Sequence, residues 1–186
     1  MCDPSIAAFD GVLCLAGPPG SGKTTAGLRV SKALGIPFFD LDRLIEEKAG
    51  RPVERIFTES GETSFRRLEL ECLRGAIRTR PSVLAVGGGC LLDRDALSLV
   101  LESTIVITLV ASDDVLAARC EGGSRPLAVT DTDLESLLQS RSDHYLSLPN
   151  RIETDGLTAA EVACRIESLL NQLTSDHGAP TGAPSP

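Results

Sequence analysis

Residues 17 to 24 read Gly17-Pro18-Pro19-Gly20-Ser21-Gly22-Lys23-Thr24, a complete G-x-x-x-x-G-K-[ST] pattern, and its setting restricts the fold more than any other feature of the chain. The apolar run Val12 to Ala16 that leads into it reads as a buried strand. Thr25 to Leu34 behind it reads as a helix, with Leu28, Val30 and Leu34 available for the inner side. Glycines in such a loop let successive N–H groups turn toward one point, and the positive end of the following helix adds to their field, so the segment is built to cradle phosphate oxygens. Gly20, Ser21, Gly22, Lys23, Thr24 and Thr25 are the cofactor-binding candidates, with Lys23 placed to bridge the outer phosphates and the Thr24 hydroxyl to bind magnesium. A glycine turn without such a role would need neither the lysine nor the hydroxyl.

With 186 residues, 42% of them hydrophobic and 24% charged, the chain is long enough for one domain with a sizeable core. That domain is expected over residues 1–174, and the stretch 175–186, rich in Pro and Gly without a large apolar side chain, is expected to be a disordered tail. The formal net charge of −8 argues against a protein that coats nucleic acid, so anionic ligands must be met by local cations. Six cysteines at 2, 14, 72, 90, 120 and 164 form no C-x-x-C pair, which suits reduced, mostly buried thiols in a cytosol better than a disulfide frame or a zinc site. No basic region followed by an apolar stretch opens the chain, and no apolar run is long enough for a bilayer. A cytoplasmic protein is expected.

Further strands are expected at Ile36 to Phe39, Val83 to Val86, Thr104 to Val110 and Arg151 to Glu153. Helical patterns lie between them, near 42–49, 61–79, 93–101, 112–120, 130–147 and 158–173. Such alternation predicts a three-layer α/β/α fold, a five-stranded parallel sheet with helices on both faces.

Ligands of such sheets sit at the carboxyl ends of the strands, which directs attention to four places. Asp40 and Asp42 follow the second strand, where alternation in an extended segment would aim both carboxylates one way; either could equally be the N-cap of the next helix. Gly87-Gly88-Gly89 follows the third, and a run of three absent side chains lets a ligand lie against backbone N–H groups. Cys90 beside it is a thiol that could make the site sensitive to thiol reagents. On the helix near 61–79, Phe65, Leu68, Cys72, Leu73, Ala76 and Ile77 form the inner stripe. Arg66 and Glu69 are neighbours on one face, a spacing that alone favours a solvated surface pair. Arg119 and Arg125 flank a glycine-rich stretch that is either an ordinary surface loop or a flap carrying arginine over a phosphate site.

Taken together these segments resemble the shikimate kinase family, a group of P-loop small-molecule kinases. The likeness covers roughly residues 10 to 172: the glycine loop, then F-F-D-L-D-R-L-I-E at Phe38 to Glu46, and I-F-T-E-S-G-E-T-S-F-R-R-L-E at Ile56 to Glu69. G-G-G at Gly87 to Gly89, R-P-L at Arg125 to Leu127 and the arginine of Q-S-R-S-D-H-Y at Gln139 to Tyr145 complete it.

The resemblance implies ATP-dependent phosphorylation of the 3-hydroxyl of shikimate, a step toward chorismate and the aromatic amino acids, with ATP and Mg2+ as cofactors. It assigns Lys23 to the nucleotide phosphates and the transition state, Thr24 to the metal and Asp40 to its support through water. Asp42 would bind ring hydroxyls and orient or deprotonate the attacking one. Arg66 and Arg141 would hold the carboxylate, with Glu69 positioning Arg66, and Gly87, Gly88 and Gly89 would donate from the backbone. Arg125, on a mobile lid over about 119–130, would close on the phosphoryl group, and Arg119 would flank the nucleotide. Lys23, Asp42 and Arg125 are thus the catalytic set. For the adenine ring only residues near Asp155 and Gly156 suggest themselves, by position. The expected partners are the small molecules alone, bound by a monomer, with no nucleic acid and no membrane. A kinase for gluconate or aminoshikimate, or a catalytically silent binding module, is the alternative; a silent member would be expected to have lost loop or arginine residues that are all intact here.

Overall fold

Along the first strand, β1 (Val12–Ala16), side chains alternate between two cores. The computed structural model, which describes residues 9–121 and 131–176, places Leu13 and Leu15 on one side of the sheet with Val30 of α1 (Lys23–Leu34) and Ile166 and Leu170 of α7 (Ala159–Asp176). Val12, Cys14 and Ala16 face the other side, against α2 (Leu41–Ala49), α3 (Val53–Ile77) and α4 (Arg94–Ser103). Burying a leucine fully contributes about 1.5–3 kcal/mol, so a strand apolar on both faces is driven to the middle of the sheet.

The remaining strands are β2 (Phe38–Asp40), β3 (Ser82–Ala85), β4 (Ile105–Val110) and β5 (Arg151–Glu153), and all five are parallel in the order β2-β3-β1-β4-β5. Two further helices, α5 (Asp113–Glu121) and α6 (Asp131–Ser147), pack together through Leu116 and Leu138. The expected α/β sheet is therefore present with helices on both faces.

Local details differ from the sequence reading. Leu28 is 51% exposed, whereas Ala26, Gly27, Val30 and Ser31 are buried. Residues two apart in a helix point about 200° away from each other, so Leu28 and Val30 cannot share an inner face. β2 is displaced toward Asp40, because pairing with β3 begins where the Val83 N–H donates to the Pro37 carbonyl. α3 begins at Val53 and is broken at Gly61 (φ 76°), so that glycine interrupts a helix where the pattern suggested a beginning. A 3-10 turn at Cys90–Leu92 also went unforeseen. α7 runs to Asp176, past the expected start of the tail; residues 177–186 lie outside the described residues.

Candidate active site

The register of the sheet gathers the site. Leu15 of β1 and Asp40 of β2 both pair with Ala85 of β3, so these three strands end at one level, and the Val86 N–H extends the pairing to the Leu15 carbonyl. Three loops therefore emerge side by side: the phosphate loop, the Asp40–Asp42 corner and the triple glycine.

Gly22, at φ 94°, caps α1 in a conformation other residues rarely adopt, and Lys23 is the first helical residue. The Lys23 ammonium folds over the loop and donates to the Gly17 and Pro18 carbonyls, both at 2.8 Å. Partial burial pulls its pKa down to about 8, although Asp42 and Asp40 act to raise it. On the next position the Thr24 hydroxyl donates to Asp40 Oδ2 at 2.8 Å.

Asp40 is also the N-cap of α2, its Oδ1 accepting the Asp42 N–H at 3.2 Å. Capping and the contact with Thr24 thus coexist in one carboxylate. The two aspartates do not share an extended segment as expected: Asp40 ends the strand and Asp42 lies in the first helical turn. Oxygen donors from Thr24 and Asp40 suit magnesium, a hard cation. No group of three or more His, Cys, Asp or Glu side chains among the described residues could hold a metal, so remaining ligands would have to come from phosphate and water.

Each glycine of the triplet has its own reason for lacking a side chain. A Cβ on Gly87 would meet Asp42 Oδ1 at 2.9 Å, and one on Gly88 would meet Cδ of Pro19, in the phosphate loop, at 2.8 Å. On Gly89 it would sit 3.2 Å from Arg141 Nη1 and 3.3 Å from Arg66 Nη2. Two guanidinium groups on different helices thus converge beside Gly89. Asp42, close by, has its pKa pushed up to about 6 by burial and by the Asp40 charge, against the pull of Lys23.

Arg66 is held by a 2.7 Å hydrogen bond to Glu69 Oε2 and a 3.1 Å bond to the Gly89 carbonyl. Glu69 is only 3% exposed, which overturns the solvated surface pair suggested by spacing. A carboxylate this buried is retained by its partner, and the pair fixes the direction of the guanidinium. Cys90 is fully buried, and its thiol is pushed well above 9 by burial and by Glu69, so it lacks the reactivity expected from its place in the sequence.

On the other flank, a cleft of about 450 Å³ runs from the phosphate loop to Arg119, Thr154 and Leu157. Arg119 donates to the hydroxyl and the carbonyl of Thr154, each at 3.0 Å. Asp155 accepts the Ser112 N–H at 3.1 Å on both carboxylate oxygens and does not line the cleft; nor does Gly156. Their neighbours Thr154 and Leu157 do line it. Arg125 and the lid beyond Glu121 lie outside the described residues.

The model of the family described as shikimate kinase matches residues 19–171. The chain belongs to the shikimate kinase family. A curated shikimate kinase of Salinispora tropica is 36% identical over 162 residues, which cover 86% of this chain and 97% of that one. Among solved structures, shikimate kinase from Bacteroides thetaiotaomicron superposes with a TM-score of 0.78 at 27% identity, over 89% of this chain and 99% of that one. The enzyme of Acinetobacter baumannii, solved in complex with shikimate, gives 0.77 at 28% identity, over 91% and 96%. A gluconokinase from Sinorhizobium meliloti shares the fold alone, with a TM-score of 0.62 at 22% identity over 91% and 96%.

The site is also held by contacts that the sequence reading did not name. Tyr145 donates to the Gly88 carbonyl at 2.5 Å from a position one helical turn after Arg141, a spacing that could have flagged it. Thr154 and Asp155 anchor α5, across 35 and 43 residues of chain, where no local pattern reaches. As a member of this family the protein is an ATP-using kinase. No helix among its described residues is long and apolar enough to cross a membrane.

Proposed function

We propose that the protein transfers the γ-phosphoryl group of ATP to the 3-hydroxyl of shikimate, giving shikimate 3-phosphate and ADP. The observation that carries this reading is the convergence of Arg66 and Arg141 beside Gly89, next to Asp42 and across from the phosphate loop. Shikimate is a small ring with one carboxylate and three hydroxyls. Two guanidinium groups match its acid, and one carboxylate with backbone N–H groups matches its hydroxyls.

In this reading Gly20 to Thr25 cradle the phosphates, and Arg119 with Thr154 and Leu157 borders the nucleotide. Lys23 leaves the Gly17 and Pro18 carbonyls for the phosphate oxygens and follows the charge that develops between donor and acceptor. Thr24 and Asp40 would hold Mg2+, which when bound neutralises phosphate charge. The acceptor oxygen attacks the γ-phosphorus, its proton passes to Asp42, and the bond to the β,γ-bridging oxygen breaks to release ADP. Asp42, shifted toward neutrality in its pKa, is a better proton acceptor than an exposed carboxylate. Arg125 would close over the transferring group.

A cytoplasmic monomer of one domain is the proposed working form, and the thiols of Cys14, Cys72 and Cys90, buried in its core, suit a reducing compartment.

The deciding assay measures ADP formed from ATP and magnesium with shikimate, aminoshikimate, gluconate, quinate or a nucleoside monophosphate as acceptor. Stimulation by shikimate is the expected result. Bound ATP with no stimulation by any acceptor would reduce the protein to a silent binding module.

A further inference from the structure

Tyr145 is 4% exposed, projects from α6 one turn after Arg141, and gives its hydroxyl proton to the Gly88 carbonyl at 2.5 Å. The same hydroxyl meets the Arg141 side chain. One phenol therefore touches both a guanidinium assigned to the acceptor and the peptide that joins Gly88 to Gly89.

We infer that Tyr145 is a positioning residue for the acceptor, a role that rests on the placement of shikimate proposed above. A trans peptide aims its N–H opposite to its C=O, so holding the Gly88 carbonyl toward α6 turns the Gly89 N–H away from α6. Neither flanking glycine has a side chain to hold that peptide plane, and glycine is the residue with the widest backbone freedom. The Cys90 N–H donates to the Gly87 carbonyl at 3.0 Å and closes a turn around this peptide, and two central glycines allow the turn with the carbonyl on either side; the phenol hydrogen bond selects one. Contact with Arg141 then ties the backbone donor and the guanidinium to one rigid aromatic group. A Cβ on Gly88 would overlap Pro19, so the peptide is bounded by the phosphate loop on its other side.

Tyr145 is the single tyrosine of a chain without tryptophan, which allows a direct test. The full chain is produced with 3-fluorotyrosine and its one fluorine resonance followed by NMR. Saturating shikimate is expected to move that resonance, and ADP alone to leave it nearly in place. Tyr145→Phe, which keeps the ring and loses the hydroxyl, is expected to raise the KM for shikimate about three- to tenfold, the worth of one hydrogen bond, with the KM for ATP within about twofold. Arg141→Lys is assayed in parallel. If it raises the KM for shikimate while Tyr145→Phe does not, the positioning role falls and the acceptor placement stands. If Arg141→Lys leaves that KM unchanged, the placement fails and the role of Tyr145 with it. Lower thermal stability in Tyr145→Phe with both KM values unaltered would mark the hydrogen bond as structural only and overturn the inference.

Discussion

Arg66 and Arg141 each bring a terminal guanidinium nitrogen within 3.3 Å of the point where a methyl group on Gly89 would stand. Gly89 itself has φ −103° and ψ −2°, which alanine also adopts, so the missing side chain answers to space and not to backbone conformation. Gly89→Ala is accordingly expected to fold, since the atoms its methyl meets are ends of flexible side chains. The methyl would stand between the two guanidinium groups proposed to hold the carboxylate. The KM for shikimate should rise about ten- to a hundredfold, as for a lost charged hydrogen bond, with the KM for ATP little changed. Steady-state kinetics on both substrates check this, and an unchanged shikimate KM would move the carboxylate elsewhere.

Lys23→Ala should lower kcat by about a hundredfold or more while the fold survives. Burial depresses the Lys23 pKa, so the ammonium is held in the ligand-free protein at a cost, and its removal should not lower the thermal midpoint. Turnover near the wild-type rate would remove the central element of the mechanism.

Asp42 makes a stability prediction for the protein free of metal and nucleotide. Its folded pKa of about 6 lies above the ordinary 3.8, so the native state takes up its proton more readily than the unfolded chain. The sign follows: the group costs nothing well below pH 3.8, its penalty builds as pH rises from 3.8 to about 6, and the full penalty is present above that. Asp42→Asn should match the wild type in thermal midpoint near pH 3, below the ordinary carboxylate value, and exceed it by a few degrees at pH 7.5, reflecting about 1–3 kcal/mol. Melting curves in EDTA at the two pH values test this; a difference that does not vary with pH would contradict it.

Asp155→Ala should act on the nucleotide through α5. The variant leaves the Ser112 N–H at the start of that helix without its carboxylate partner, at a cost of about 0.5–1 kcal/mol. Arg119 stands on the same helix, so the KM for ATP is expected to rise about two- to fivefold and that for shikimate to stay put. Equal effects on both substrates would show that the loop supports the whole site and not the nucleotide side.

What could be read in the sequence was set by range. The glycine loop, the buried strands and the inner stripe of α3 are written in residues a few positions apart, and they stand in the structure as their periodicity implied. Glu69 shows the boundary: its spacing from Arg66 announced the pair, but its burial depends on the elements packed around the pair and on Cys90, far away in sequence. Gly61 shows another. A glycine ahead of an apolar stripe looks like a helix start, yet Val53 and Ile56 are already buried on the helical turns before it. The hydrogen bond of Asp155 to the distant Ser112 N–H leaves no local trace, and that of Tyr145 to Gly88 leaves only its spacing from Arg141.

Arg141 apart, the described groups assigned to the acceptor lie in one unbroken stretch of chain, from Asp42 through Arg66 and Glu69 to Gly89, whereas the nucleotide is served by residues before and after it. A lineage could therefore acquire a different acceptor by exchanging that one stretch, in a single recombination, and inherit its phosphate-handling apparatus untouched.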